Sequence, residues 1–339
     1  MKTQGVTLLA LLLSGCAHHL DIDSTQLASM SPQSAAYIEN ATYQDPPSWV
    51  PIGEGRLLEM RKDFAAHEHA VEDRMIAELG LGIEHETIEG ISVLVITPKA
   101  VRPGNEDVIA FNVHGGAFFM GSARERSALL IAAKMGIRVY SVEYTLAPEA
   151  KFPVAIEQAL TVYKNLATGN APRRIVAVST SAGGEIMLSM LDEAAKKGVP
   201  LPQAQVLFTP AADLSLTGDS KTSNAGRDIL PATTSLRLIK EFYVGPGDLR
   251  DPRVSPLYGT FSSQYPPSII VSGTRDLLLS DSVRLHWKLL RAGVESELLV
   301  GEGMWHGFSW EYKTPESVAA LNEVVHFVDT QLARSSAAR

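Results

Sequence analysis

Residues 175–184 read IVAVSTSAGG, a short β-branched apolar run followed by a turn of small residues. The run at 175–179 is typical of a buried strand, and the amphipathic stretch at 182–197 is typical of a helix. Ser181 therefore lies on a sharp strand-to-helix turn, where its hydroxyl projects above the sheet. The helix that follows directs its positive end toward any negative charge that forms there.

The same alternation of strands and helices extends in both directions from this turn. Short apolar runs predict seven strands, at 91–97, 108–113, 137–142, 175–179, 205–208, 268–271 and 296–300, and the stretch 83–88 is expected to be an eighth strand. Helical spacing predicts helices at about 124–135, 153–167, 182–197, 281–292 and 315–333. We therefore expect an α/β fold whose mostly parallel eight-stranded sheet is covered by helices on both faces. The first two strands are expected to form an antiparallel hairpin at one edge.

Two segments fall outside this alternation. Residues 35–80 are predominantly helical and precede the sheet, and residues 211–250 form a long insertion with a helical part near 231–243. An insertion of this length in a compact domain is usually a lid or a binding element. We expect both segments to form one helical cap, within a single domain that spans residues 35–339.

The N-terminus has the pattern of a secreted, lipid-anchored protein. Residues 1–15 combine one positive charge with an apolar run too short to span a bilayer, which predicts a signal peptide. The run ends in Leu13-Ser14-Gly15-Cys16, which resembles a bacterial lipobox and makes Cys16, the only cysteine, the expected lipidation site. The alternative is an ordinary signal peptide with an incidental cysteine. Residues 16–34, rich in Ser and Asp, are predicted to be a tether.

This N-terminal pattern also predicts a location. A lipidated Cys16 would anchor the protein to a membrane of the cell envelope. Ala17 follows it, where an Asp would break the bacterial rule for sorting to the outer membrane, so we expect the outer membrane of a Gram-negative bacterium.

Composition excludes several classes of protein. The chain has 339 residues, of which 45% are hydrophobic, so intrinsic disorder is excluded, and a single cysteine excludes a disulfide scaffold. The formal net charge of −8, from 38 acidic and 30 basic residues, argues against a nucleic-acid partner.

Glycines after a second strand predict a site for an anion. Gly115 and Gly116 follow the strand at 108–113 and His114, and adjacent glycines let backbone N–H groups approach a ligand closely. Together with the N–H of Ala182, they are expected to form an oxyanion hole.

Two further strands are followed by the residues that would activate a serine. Asp276 follows the strand at 268–271, and His306 follows the strand at 296–300. A serine hydroxyl becomes a good nucleophile when a histidine takes its proton and a carboxylate orients that histidine. The order Ser181, Asp276, His306, each after its own strand, predicts a catalytic triad. Asp281 is a rival for the acid, although the first turn of a helix also explains a carboxylate there.

Two other groups of polar residues have an alternative functional interpretation. His114 is expected to organise its loop rather than act as the base. A cluster on the predicted cap helix, His67, Glu68, His69 and Asp73, could suggest a metal, but histidines at i and i+2 face different sides of a helix and no thiolate joins them. We therefore expect no metal and no cofactor.

These motifs together resemble the hormone-sensitive-lipase-like family of bacterial esterases. The resemblance covers about residues 83–330 and rests on His114-Gly115-Gly116, YTLAPE at 144–149, TSAGG at 180–184, DPRVSPLY at 251–258 and GMWHGF at 303–308. Thr180 marks the branch of the family that has Thr before the nucleophile.

The resemblance implies an α/β-hydrolase fold with a helical cap and a serine carboxylesterase activity. It makes Ser181 the nucleophile, His306 the base and Asp276 its partner, and it implies short- to medium-chain acyl esters as substrates. The sequence departs from the family in two places, since Ser179 replaces a Gly and Glu185 replaces an Asn.

Other functions stay open at this point. Residues 272–282 look like those of lactone or monoterpene-ester hydrolases, and an amidase or acyltransferase would use the same triad. A catalytically silent, lipid-anchored binding protein is the alternative from another class. A homodimer formed through an exposed edge strand near 296–300 is also open.

Overall fold

The computed structural model describes residues 18–43, 45, 49–169 and 173–337. Its strands are β1 (His18–His19), β2 (Thr42–Tyr43), β3 (Gly82–Ile88), β4 (Ile91–Thr97), β5 (Val108–Val113), β6 (Arg138–Val142), β7 (Arg174–Thr180), β8 (Ala204–Phe208), β9 (Ser268–Gly273) and β10 (Ser296–Gly301). Its α-helices are α1 (Ser24–Ala28), α2 (Pro32–Asn40), α3 (Glu54–Leu79), α4 (Arg126–Met135), α5 (Val154–Thr168), α6 (Ala182–Lys196), α7 (Ser220–Ser223), α8 (Ala232–Leu238), α9 (Leu279–Arg291) and α10 (Pro315–Ala337).

The eight predicted strands form one sheet in the order β10-β9-β8-β7-β5-β6-β4-β3. Strands β5 to β10 are parallel, and the hairpin β3–β4 joins β6 antiparallel at one end, which confirms the predicted edge. Every residue of the central strands β5, β8 and β9 is buried. Continuous apolar strands are what a parallel sheet covered on both faces requires, and two separate apolar cores flank this sheet.

The prediction of a tether is wrong for the part of it that the structure describes. Residues 18–34 contain β1, α1 and the start of α2, and they pack on the main domain through the buried side chains of Leu20 and Met30. The polar composition has another cause, because Asp23 and Ser31 are helix N-caps whose side chains accept backbone N–H groups.

The two segments expected to form the cap meet over the carboxyl ends of the parallel strands. Helix α3 comes from the first segment. The insertion between β8 and β9 contains α7, α8 and a π-helix at Ile239–Val244 that continues α8. Side chains from both segments line one cavity there. Among the described residues, no helix is both long and apolar enough to cross a bilayer.

Candidate active site

Ser181 occupies a strained turn between β7 and α6. Its backbone has φ 52° and ψ −121°, a conformation that non-glycine residues rarely adopt. The turn fits only because small residues follow it. A Cβ on Gly183 would lie 2.1 Å from the carbonyl oxygen of Val113, and a Cβ on Gly184 would lie 2.7 Å from Cβ of Pro210. The glycines of the motif are therefore required by close packing against neighbouring backbone.

Ser179, which replaces a Gly of the family motif, leaves this turn intact. Ser179 lies within β7, opposite Val113 of β5, and is fully buried. Its hydroxyl has no partner among the described residues, so the extra side chain is accommodated inside the sheet without entering the turn.

The structure brings Asp276 and His306 together. Nδ1 of His306 lies 2.9 Å from Oδ1 of Asp276, and both side chains are buried. The carboxylate is held in turn by the Ser272 hydroxyl at 2.7 Å and by the backbone N–H of Leu278 at 2.9 Å. Burial lowers the pKa of His306, but the carboxylates of Asp276 and Asp228 together outweigh burial, so that pKa is raised above its ordinary value. Nδ1 is engaged by Asp276, which leaves Nε2 for proton transfer.

Asp281, the rival acid, binds a different partner. Its Oδ2 accepts from the Lys221 ammonium at 3.1 Å and from the backbone N–H groups of Ala212 and Asp213. Both side chains of this ion pair are buried. The bond to His306 thus belongs to Asp276, and Asp281 links α9 to the cap insertion.

The glycine loop differs from prediction at one position. The backbone N–H of Gly115 donates to Oε2 of Glu125 at 3.0 Å, so Gly115 has no N–H left for an oxyanion and its predicted role is wrong. Gly116 and Ala117 follow with φ of 105° and 52°, and no described residue accepts their N–H groups. Ala182 is the first residue of α6, so its N–H has no acceptor within the helix. The free donors at this place are therefore those of Gly116, Ala117 and Ala182.

Glu125 holds the glycine loop in place through its hydrogen bond with Gly115. It is buried, and its other oxygen, Oε1, accepts from the Asn112 side chain at 3.2 Å. Burial raises the pKa of Glu125 to about 8. Sequence reasoning missed this contact because Glu125 is ten residues away and carries no motif.

His114 is the loop organiser that was expected. Its ring is buried, stacks on Tyr144 with centroids 4.1 Å apart, and contacts the carbonyl oxygen of Gly115 through Nδ1 at 2.8 Å. Burial lowers the pKa of His114. A neutral ring held in this way fixes the backbone beside the glycines.

Residues of the histidine-rich cap cluster are engaged in ion pairs with the main domain. Glu68 accepts from Arg126 at 2.8 Å and 2.9 Å, and Asp73 pairs with Arg124. His67 is largely exposed. These contacts dock α3 onto the start of α4.

A cavity of about 340 Å³ opens above the strained turn. Ser181, His306, Gly116, Ala117 and Ala182 all contribute to its wall. Most of the remaining wall is apolar and comes from the cap, including Met60, Phe64, Ile229, Leu236 and Ile239. Lys221, paired with Asp281, and His306 are the titratable groups among the described lining residues.

Asp228 lies next to Asp276 and His306, and the sequence does not predict it as a site residue. It is fully buried, and its carboxylate accepts the backbone N–H groups of His306 at 2.9 Å and Leu277 at 2.7 Å. No motif marks this residue, and it comes from the cap insertion, nearly fifty residues before Asp276.

The N-terminal segment, residues 20–40, supports the same two loops from outside the cavity. The buried Arg275 donates to the side chain of Gln26 at 2.5 Å and to the carbonyl oxygen of Asp21 at 2.6 Å. Tyr37 stacks on Trp305. Arg275 and Trp305 directly precede Asp276 and His306, so this segment braces the positions of both.

Comparison with known proteins shows the family to which this fold belongs. The family model for the alpha/beta hydrolase fold matches residues 110–310. An esterase from Acinetobacter venetianus is 32% identical over 65% of this chain and 74% of its own, and an acetyl-hydrolase from Streptomyces hygroscopicus is 33% identical over 69% and 80%.

Solved structures show the same likeness. The crystal structure of esterase E25 has a TM-score of 0.79 and 32% identity, and it covers 88% of this chain and 94% of its own. An esterase from the bacterial hormone-sensitive lipase family has a TM-score of 0.70 and 27% identity, over 83% and 99%. The chain therefore belongs to the α/β-hydrolase family, among its carboxylesterases.

Proposed function

We propose that the protein is a serine carboxylesterase in which Ser181, His306 and Asp276 form the triad. The observation that carries this assignment is the 2.9 Å bond from Asp276 to His306, on a histidine that shares a cavity wall with the strained Ser181. A carboxylate on Nδ1 keeps Nε2 in the state that accepts a proton.

In the proposed mechanism, Oγ of Ser181 attacks the ester carbonyl while Nε2 of His306 takes its proton. The N–H groups of Gly116, Ala117 and Ala182 bind the oxyanion of the tetrahedral intermediate. His306 then protonates the leaving alcohol. A water molecule, activated by the same histidine, releases the acid from the acyl-enzyme.

Short- to medium-chain acyl esters are the proposed substrates. The cavity of about 340 Å³ is near the lower end of the range for small-molecule sites, and its wall is mostly apolar. Among the relatives, an ethyl acetate hydrolase from Pseudomonas putida is 27% identical over 83% of this chain and 92% of its own. Lactones, amides and acyl transfer use the same triad chemistry, and rates on matched ester, lactone and amide substrates would separate them.

The test is covalent labelling of the purified protein by a fluorophosphonate probe, alongside turnover of p-nitrophenyl butyrate. We expect labelling and turnover in the native protein and the loss of both in Ser181→Ala. Ser223→Ala, which removes an exposed hydroxyl from the cap insertion, is the matched control and should behave as native. A folded native protein that is neither labelled nor active would overturn the proposal and favour a binding protein.

We also propose that the protein is attached to the outer membrane through a lipid on Cys16. The lipobox-like sequence at 13–16 supports this, and the described fold begins only two residues later, at His18. The catalytic domain would then lie close to the membrane surface instead of on a long tether. Cell fractionation of the full native chain and of Cys16→Ser tests this anchor. We expect only the native chain to sediment with outer membranes.

A further inference from the structure

Asp228 joins the two loops that carry the acid and the base. Its Oδ1 accepts the N–H of His306 at 2.9 Å and that of Ile229 at 2.7 Å, and its Oδ2 accepts the N–H of Leu277, the neighbour of Asp276, at 2.7 Å. The residue belongs to the cap insertion and has no exposed surface. A single side chain therefore ties the insertion to both loops.

This position is costly for a carboxylate. Oxygens of Asp228 and Asp276 and a ring nitrogen of His306 all lie within 4.8 Å of one another. Burial and the nearby Asp276 raise the pKa of Asp228 to about 6. A neutral side chain that accepts hydrogen bonds could also bind these backbone N–H groups. The bridge between the two loops therefore does not by itself require a second negative charge beside Asp276.

Several charged or titratable groups lie around Asp228. His306 is the titratable cation that faces both carboxylates, and the fields of Asp276 and Asp228 both raise its pKa, whereas Lys221 opposes them. Arg275 also feels the charge of Asp228, but its guanidinium is already hydrogen-bonded to the N-terminal segment. Tyr37 is also within the field of Asp228 and stays neutral, because burial raises its pKa to about 12.

We propose that Asp228 is a positioning residue for the triad, which fixes the backbone of His306 and supplies a second negative charge that stabilises the imidazolium formed during catalysis. This inference rests on the proposed function. When Ser181 attacks, its O–H bond breaks and an N–H bond forms at Nε2 of His306. The new positive charge then forms within 4.8 Å of oxygens of both Asp228 and Asp276, which favours the transition state over the neutral ground state.

The test compares Asp228→Asn with Asp219→Asn. Asp219 is an exposed aspartate of the same insertion, so its substitution should leave kcat, KM and the pH profile unchanged. In Asp228→Asn we expect kcat to fall by about ten- to a hundredfold and KM to stay within about twofold, since Asp228 is not among the cavity-lining residues. The acid limb of the kcat/KM profile should move down by about one pH unit, because the imidazolium loses a neighbouring charge.

A second readout does not depend on turnover. Imidazole resonances of labelled protein, with His306 assigned through His306→Gln, give the pKa of His306 directly. We expect a lower value in Asp228→Asn than in the native protein and in Asp219→Asn. This measurement separates the two proposals, since loss of labelling in Ser181→Ala tests the esterase mechanism while the His306 titration tests Asp228.

Either of two results would overturn the role of Asp228. One is a folded Asp228→Asn with native kcat and an unmoved His306 titration. The other is a fall in kcat that is uniform at every pH with no change in the titration, which would show a structural bridge alone. If Asp228→Asn fails to fold, Asp228→Glu keeps the charge, and the proposal then requires a His306 titration close to native despite a lower kcat.

Discussion

Tyr37 lies flat on Trp305, with ring centroids 4.3 Å apart and planes 6° apart. Trp305 is buried and directly precedes His306, so an aromatic ring from the N-terminal segment packs against the loop of the proposed base. The segment contributes nothing to the described cavity wall, so any influence on catalysis passes through the loops that carry Asp276 and His306.

We predict that Tyr37→Ala lowers kcat several-fold with little change in KM and costs about 2 kcal/mol of unfolding free energy. The cause is the loss of the stacked ring and of its packing on Trp305. Tyr37→Phe is the matched control, since it keeps the ring, and it should retain kcat. Steady-state kinetics and urea unfolding of the three proteins check this. Native kcat in a folded Tyr37→Ala would contradict it.

The identity of the acid gives a second prediction. Asp276→Asn should lower kcat by about 10⁴-fold, because the amide presents the wrong partner to Nδ1 of His306. Asp281→Asn should keep kcat within about tenfold but lose about 3 kcal/mol or more of stability, because Lys221 stays buried without a charged partner. Kinetics and denaturant unfolding of both variants distinguish the roles. The reverse pattern would make Asp281 the acid.

Glu185 gives a prediction on stability and pH. This carboxyl is buried in the first turns of α6, where Ser189 and Tyr243 hydroxyls lie 3.5 Å from its oxygens, and burial raises its pKa well above the ordinary value. Because its pKa is higher in the folded than in the unfolded protein, its contribution to stability falls as pH rises above about 4.5. Glu185→Gln mimics the protonated form.

We expect Glu185→Gln to keep esterase activity and to raise Tm relative to native by more at pH 8 than at pH 5. Thermal unfolding at both pH values measures this, with Glu193→Gln, on the partly exposed face of the same helix, as the control. Equal differences at the two pH values would show that Glu185 is ionised in the folded protein.

The raised pKa of His306 gives a prediction for native activity. Protonated imidazole cannot take the proton of Ser181, so kcat/KM falls as pH drops through the pKa of His306. Because Asp276 and Asp228 raise this pKa above the ordinary 6.5, the acid limb should lie above pH 6.5. A pH profile with p-nitrophenyl butyrate gives the value. An acid limb below pH 6.5 would mean that burial outweighs the carboxylates.

The main sheet could be predicted, and the residues of the proposed triad could be singled out, because their signals are local. Strands such as β5 and β9 are short apolar runs with turn residues at both ends, and each predicted catalytic residue follows its own strand within a few positions. In a parallel sheet the carboxyl ends of neighbouring strands meet at one edge, so local order along the chain already implies proximity in space.

The errors and omissions concern contacts between residues far apart in the chain. Gly115 looked like an oxyanion donor because its motif is local, but Glu125 takes its N–H. The Ser- and Asp-rich composition of the N-terminus predicts a tether, but Asp23 and Ser31 cap helices that pack on the domain. Nothing in the insertion predicted that Asp228 would lie beside His306.

By itself, the sequence determined the fold class, the strained turn at Ser181 and the residue types that could form a triad, because periodicity, small-residue turns and motif order are properties of neighbouring residues. Only the tertiary structure decided which N–H groups remain free for an oxyanion, which carboxylate binds His306, and that Asp228 and the N-terminal segment support it. A backbone donor, once used, is unavailable to a ligand, and a buried charge acts over a few ångströms in any direction. Both depend on distances in space that the order of residues does not state.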